Sequence, residues 1–189
     1  MNIRNVIPYA CVTVLLAACG EGLSKGSLAE QIDEKLIKKK LECWSLEHMD
    51  GGFPVTVRSG FGPGATANNP ILRGLAQGGY ITFSPDPLGR AFGRAYVIDL
   101  TEKGRDAEVW DPKNGFCVGQ RRVHEVIRWT EPAGDDGVQM TQINYTWKLA
   151  DVPDWVDPKL FPDVEGLSEP VESMTIARKT SDGWRIGLF

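Results

Sequence analysis

Hydrophobic positions near residue 30 recur with the spacing of an amphipathic helix. Ser27 and Glu30 have the three-residue separation of a capping box, in which the serine caps the first helical turn and the glutamate reaches back. Apolar residues then follow at intervals close to four residues: Leu28, Ile32, Leu36, Ile37 and Leu41. The pattern predicts a helix from about Leu28 to Glu42.

The middle of the chain alternates between short strand patterns and turn residues. Residues 53–58 are predicted to form a strand, and Pro70–Gln77 a helix that ends at Gly78-Gly79. Two further strands, residues 80–83 and 95–100, are joined by a loop rich in proline and glycine. Thr101 is then expected to begin a short helix.

The C-terminal half has the clearest period-two pattern. Apolar or buried-type residues alternate with polar ones along one strand: Thr141, Ile143, Tyr145, Trp147 and Leu149. The preceding strand, residues 123–129, is predicted to place Val123, Ile127 and Trp129 on one face, with His124 and Arg128 on the other. The two strands would form a long antiparallel pair with one buried and one solvated face.

A last hairpin is predicted to turn at Asp182-Gly183. The pattern as a whole indicates an α+β fold, in which N-terminal helical elements pack on a twisted antiparallel sheet with a long C-terminal hairpin. The first helix would cover an apolar surface made of Ile127, Tyr145, Trp147 and Trp184. Residues 27–189 are expected to form one domain.

The first 18 residues have the organisation of a secretory signal peptide. Arg4 supplies a positive charge, an apolar stretch follows from Val6 to Leu16, and Ala17 and Ala18 precede Cys19. The apolar stretch is shorter than the about 20 residues that a membrane-spanning helix needs. It is therefore predicted to be a processed segment.

Leu16-Ala17-Ala18-Cys19 resembles the lipobox of bacterial lipoproteins, which signal peptidase II cleaves before a cysteine that carries diacylglycerol. The resemblance covers these four residues and the apolar run before them. It implies that Cys19 becomes the acylated N-terminus and that residues 19–26 form a tether. Because Gly20, not an aspartate, follows Cys19, the sorting rule of enteric bacteria implies the outer membrane, with the domain on its periplasmic face.

The charge of the chain gives no sign of a polyanionic partner. The formal net charge is −4, and removal of residues 1–18 takes away Arg4 alone among charged residues, which leaves −5. A mildly acidic protein has no long-range attraction for phosphate backbones, so no nucleic-acid partner is expected.

Four cysteines occur, and two of them are accounted for by the leader and the lipid. Cys43 and Cys117 remain as an even pair in an oxidising compartment, so a disulfide between them is expected. Two buried free thiols or a catalytic thiol are the alternatives, although the sequence shows no histidine near Cys43 at a catalytic spacing.

The sequence contains no assembled catalytic or metal-binding motif, and neither a cofactor nor a metal is predicted. The two histidines, His48 and His124, lack the spacing of a zinc site. GxSxG is absent, and the glycine-rich residues 60–64 lack the Lys-Ser/Thr of a phosphate-binding loop and contain Pro63. His48-Met49-Asp50 is better explained as a polar loop.

Residues 71–105 resemble the end of a winged-helix domain in transcriptional regulators. The resemblance rests on Leu75, Gly79-Tyr80-Ile81 and Leu100-Thr101 with Gly104-Arg105, and it implies a helix, a glycine turn, a hairpin and a new helix start. An acidic, exported chain has no DNA to bind, so the resemblance concerns shape alone.

Trp155 and Phe161 lie in a proline-rich stretch of about 20 residues, and long irregular segments are often functional. Large aromatics are common interface anchors, but these two could instead fold over an edge of the core. Together with the solvated face near Arg122, His124 and Arg128, they are the predicted interaction residues.

The sequence therefore favours a non-enzymatic envelope lipoprotein, a binding or accessory module for a protein or cell-wall partner. A periplasmic hydrolase whose site includes His124 and scattered acidic residues is one alternative. An inhibitor or immunity protein against a toxin is another. The sequence does not predict the oligomeric state.

Overall fold

The structure is a computed structural model that describes residues 23–37, 40–45, 52–58, 68–86, 95–135 and 137–187. Within these residues the chain forms three short α-helices and two antiparallel sheets, which confirms the predicted α+β class. The strands divide between two sheets, where the sequence pattern indicated one. The helices are α1 (Lys25–Ile32), α2 (Pro70–Gln77) and α3 (Glu102–Asp106), and a π-helical turn (Asp33–Ile37) continues α1. The strands are β1 (Leu41–Trp44), β2 (Val55–Arg58), β3 (Ile81–Pro85), β4 (Ala95–Leu100), β5 (Phe116–Trp129), β6 (Met140–Ala150), β7 (Val171–Thr180) and β8 (Gly183–Ile186).

The larger sheet has the strand order β1-β5-β6-β7-β8 and is built around the predicted long pair, β5 and β6. Alternate side chains of β6 face the core and are buried, as the period-two pattern predicts: Thr141, Ile143, Tyr145, Trp147 and Leu149. The final hairpin joins β7 to β8, and Gly183 adopts a φ of 102° directly after the turn. A glycine is favoured there because an L side chain is strained at positive φ.

Two irregularities in β5 change which of its residues face the core. The register shifts between Val123 and Glu125 and again between Val126 and Arg128, so His124 and Ile127 are extra residues in the strand. Each bulge reverses the face on which the following side chains lie. The prediction that Ile127 is buried was therefore wrong: Ile127 is 40% exposed, and its neighbour Val126 is buried.

The N-terminal helix is shorter than predicted and begins earlier. Ser24, not Ser27, is the N-cap: its side chain accepts a hydrogen bond from the Ser27 backbone N–H at 3.2 Å. The helix thus includes Lys25 and Gly26, which were assigned to the tether.

The predicted helix does not extend to Glu42, because Leu41–Trp44 pairs with β5 as an edge strand. Leu41, expected on the apolar face of the helix, is 42% exposed. Backbone pairing with β5 decides the conformation here, and helical periodicity at residue 41 is accidental.

The smaller sheet has the order β2-β4-β3 and lies next to α2 and α3 in the chain. The helix at Pro70–Gln77 has the predicted bounds, because the Asn69 side chain accepts hydrogen bonds from the Ile71 and Leu72 N–H groups. The order α2, glycine turn, β3–β4 hairpin and α3 is the one that the winged-helix resemblance implied. Thr101 caps α3 through the Gly104 N–H and also donates to the Gly79 carbonyl at 2.8 Å.

Buried residues from both sheets belong to one hydrophobic cluster. Leu28 and Ile32 of α1 are fully buried in it, and α1 contacts β5 and β8. Tyr145 and Trp147 are buried in the same cluster, whereas Ile127, which was expected beside them, is exposed.

Candidate interaction surface

A disulfide joins Cys43 of β1 to Cys117 of β5, which confirms the predicted pair. The two residues are direct partners in the register of the strands, with 4.1 Å between their Cα atoms. The bond links the edge strand β1 covalently to its neighbour β5. Both half-cystines are partly buried.

Several residues singled out in the sequence lie outside the described part of the chain. These are Cys19 and the whole leader, His48, and the glycine-rich residues 60–64. Their predicted roles stay predictions.

The proline-rich segment after β6 folds as a series of tight turns. Backbone hydrogen bonds join Val156 to Pro153 and Leu160 to Asp157, and further turns follow to residue 167. Phe161 is fully buried and fits against Gly74 of α2, where an added Cβ would lie 2.2 Å from the Phe161 Cδ1 atom. Phe161 is therefore a core residue and not an interface anchor, which corrects its predicted role. The Phe161 ring thus occupies the space that a side chain at position 74 would need.

Trp155 is partly buried and joins the same packing. Its ring centroid lies 5.8 Å from that of Tyr80 and 5.9 Å from that of Phe161, both in edge-on contacts. The rest of the indole lines a cavity of about 540 Å³ with residues that include Glu108, Asp111 and Asp154. Trp155 therefore packs against Tyr80 and Phe161 and remains partly accessible to solvent.

Arg122 holds the first helix to the sheet. Its Nη1 donates to Asp33 Oδ2 at 2.8 Å, while Asp33 Oδ1 accepts the Val123 backbone N–H at 3.1 Å. Both side chains are partly buried. Arg122 is therefore committed to a structural contact.

His124 and Arg128 are both exposed, as predicted for the solvated face. They lie near the end of β5, whereas the Trp155 cavity is lined by Cys117 near its beginning. The structure therefore does not bring the predicted interaction residues together at one place.

A second cavity of about 540 Å³ lies beside the disulfide and is lined by charged residues that include Lys40, Glu42, Lys113 and Arg121. Arg121 donates to Glu42 Oε2 from Nε at 3.0 Å and from Nη2 at 2.7 Å. Its guanidinium also lies 4.2 Å from the centre of the Trp147 ring. The Arg121 guanidinium is thus already bound to Glu42 and stacked on Trp147 within the fold. His124 lines neither cavity.

Exposed apolar side chains occur on the outer face of the larger sheet, the face that does not carry the buried residues of β6. Met174 and Ile176 of β7 are 59% and 46% exposed, and Met140 of β6 is 43% exposed. The register places Met174 beside Asn144, which in turn lies beside Arg128, so these residues form one row across three strands. We name Met140, Met174 and Ile176 the outer patch.

The sequence did not reveal the outer patch. The period-two pattern of β7 indicates the wrong buried face for this strand. Met174 and Ile176 are the larger apolar residues of the strand, so alternation alone would assign them to the core. The structure instead buries Ala177, which lies on the opposite face beside the buried Thr141 of β6. Hydropathy thus gives the wrong face of this strand.

Among the described residues, no group of three or more histidine, cysteine or acidic side chains could hold a metal ion. No helix in the described ranges is long and apolar enough to cross a membrane. No family model matches the chain, and no curated protein or solved structure is significantly similar to it.

Proposed function

We propose that this chain is a lipid-anchored protein of the bacterial cell envelope that acts as a binding or accessory module. The observation that carries the proposal is the Cys43–Cys117 disulfide in the domain that follows a lipobox-like sequence. Disulfides persist in oxidising compartments and are rare in the cytosol, so the bond supports export. Leu16-Ala17-Ala18-Cys19 supports attachment of the exported chain to lipid.

The described surface is more consistent with binding than with catalysis. His124 lies exposed at a bulge, and Arg121 and Arg122 are each held by a carboxylate of the fold. The outer patch, by contrast, exposes apolar side chains to solvent, which suits contact with another surface and not catalysis. We place the module on the periplasmic face of the outer membrane, on the basis of Gly20, with a protein or cell-wall component as its partner.

The acylation of Cys19 is the first test. Cells that express the chain are labelled with palmitate, and the same is done for Cys19→Ala and for a matched control, Cys11→Ala, which removes the other cysteine of the N-terminal region. We expect label in the wild type and in Cys11→Ala but none in Cys19→Ala. Unlabelled wild-type protein, or label that persists in Cys19→Ala, would contradict the lipid anchor.

A further inference from the structure

The outer patch is bordered by cationic side chains. Arg128 lies in the same row as Met174, and Arg178 lies opposite Met140 on the neighbouring strand. Arg185 of β8 is next to Arg178 and has a weak contact of 3.6 Å with Asp182. The surface therefore combines apolar side chains with arginines at its rim.

Acidic residues mark the limit of this surface on one side. The row after Arg128, Asn144 and Met174 consists of Glu125, Thr146 and Glu172. Glu125 is not isolated, because Lys25 Nζ lies 3.0 Å from its Oε1 atom. Glu172 is exposed and stands at the edge of the patch.

The contact between Lys25 and Glu125 also locates the start of the folded chain. Lys25 is the first residue of α1, so the N-terminal segment joins the domain one row away from the outer patch. The six residue-to-residue steps from Cys19 to Lys25 can span at most about 22 Å. A lipid on Cys19 would thus keep this corner of the sheet close to the bilayer.

We infer that the outer patch rests against the bilayer that holds the lipid anchor, with Met174 and Ile176 at the headgroup boundary and Arg128 and Arg185 on anionic lipid phosphates. The inference depends on the proposed function, since it uses the anchor on Cys19. A stable complex between two free molecules buries about 800 Å² of accessible surface on each partner, and three apolar side chains are too few to supply that area. For a chain that is already tethered, the contact is intramolecular, and a small gain is enough to set its orientation.

The test uses the lipidated protein reconstituted into vesicles of phosphatidylethanolamine and phosphatidylglycerol. Met174→Cys introduces a thiol that is labelled with an environment-sensitive fluorophore, and a spin-labelled lipid serves as quencher. Lys113→Cys is the matched control, because Lys113 is exposed and lies near the opposite end of β5 from Arg128.

We expect quenching at position 174 and little at position 113. Addition of Arg128→Gln or Arg185→Gln should lower the ratio of docked to undocked molecules by about fivefold for each arginine. Replacement of phosphatidylglycerol by phosphatidylcholine should reduce quenching in the same direction.

Three results would overturn the inference. The first is no quenching at position 174, and the second is equal quenching at positions 174 and 113. The third is a protein that elutes as a dimer and whose label at position 174 is already shielded from solvent in the absence of vesicles. The mass of the N-terminal peptide reports separately on the anchor. If Cys19 carries no acyl chain, the proposed function fails. The outer patch is then tested separately, on labelled chains that carry a histidine tag ahead of Gly20 and are held to vesicles by a nickel-chelating lipid.

Discussion

Individual residues of this protein owe their importance to close packing that composition does not reveal. Gly74 and Phe161 are 87 positions apart in the sequence, yet the ring of one occupies the space that a side chain would need at the other. Gly104 is similar, since an added Cβ would lie 2.0 Å from the Tyr80 carbonyl oxygen. Such glycines are required by their neighbours and not by their own backbone angles.

Gly74→Ala is expected to destabilise the protein although alanine is the better helix former. The new methyl group would meet Phe161 and also the Leu160 carbonyl oxygen at 2.8 Å, so the cost is about 1–3 kcal/mol. Gly26→Ala in α1 is the matched control, because nothing lies within 4 Å of its added Cβ and a gain of up to about 1 kcal/mol is expected. Urea unfolding measures both, and equal effects of the two substitutions would contradict the packing at Gly74.

At the scale of elements, the long strand β5 contacts both the N-terminal elements α1 and β1 and the C-terminal strand β6. The bulges at His124 and Ile127 each change the face on which the following side chains lie. As a result Val123, Val126 and Trp129 all face the core, at a spacing of three residues. Val123, directly before the first bulge, donates its N–H to Asp33 at the end of α1. Helix and strand are therefore joined where the ladder is irregular.

The bulges predict opposite results for two neighbouring substitutions. Val126→Ala removes a buried side chain and should cost about 2 kcal/mol. Ile127→Ala truncates an exposed one and should change the free energy of unfolding by about 0.5 kcal/mol or less. Chemical denaturation of both variants is the measurement, and a larger loss for Ile127→Ala would support the regular alternation that the sequence predicted.

The role of Asp33 as a joint between α1 and β5 can be tested with two substitutions. Asp33→Ala leaves the Val123 N–H and the Arg122 guanidinium without this acceptor, which should cost about 1–3 kcal/mol. Asp33→Asn keeps one side-chain oxygen for Val123 and should lose less. Thermal unfolding distinguishes the variants, and a loss in Asp33→Asn as large as in Asp33→Ala would assign the whole effect to the charge.

At the scale of the whole molecule, a short edge strand is tied to the rest by one covalent bond. β1 has four residues and pairs with β5 alone, and Cys43 and Cys117 are separated by 74 positions. A crosslink over so long a loop restricts the unfolded chain strongly. The overall stability of the fold is thus coupled to the redox state of its surroundings.

Replacement of Cys43 and Cys117 together by alanine should lower the free energy of unfolding by about 4 kcal/mol in the chain-entropy model. Addition of a reductant should lower the stability of the wild type by a similar amount and leave the double variant unaffected. Denaturant unfolding with and without reductant checks this. An oxidised wild type no more stable than the variant would show that the bond does not stabilise the fold.

The predictions from sequence succeed where the determinants are local. The bounds of α2 follow from Asn69 and Gly78 at its two ends, and the alternation of β6 matches its burial residue by residue. They fail where a distant strand decides. Residues 41–44 form a strand because β5 pairs with them, and Phe161 is buried because α2 has a glycine at position 74.

The sequence by itself determined the α+β class, the long β5–β6 pair, the disulfide partners and the lipobox-like motif before the domain. These depend on short-range patterns and on the number of cysteines available. Only the tertiary structure decided which face of β7 is exposed, where β5 changes face, and that Arg122 and Phe161 serve the fold. The physical reason is that hydropathy measures how favourable it is to bury a side chain. Strand register and the space available in the core determine which of several apolar side chains is actually buried.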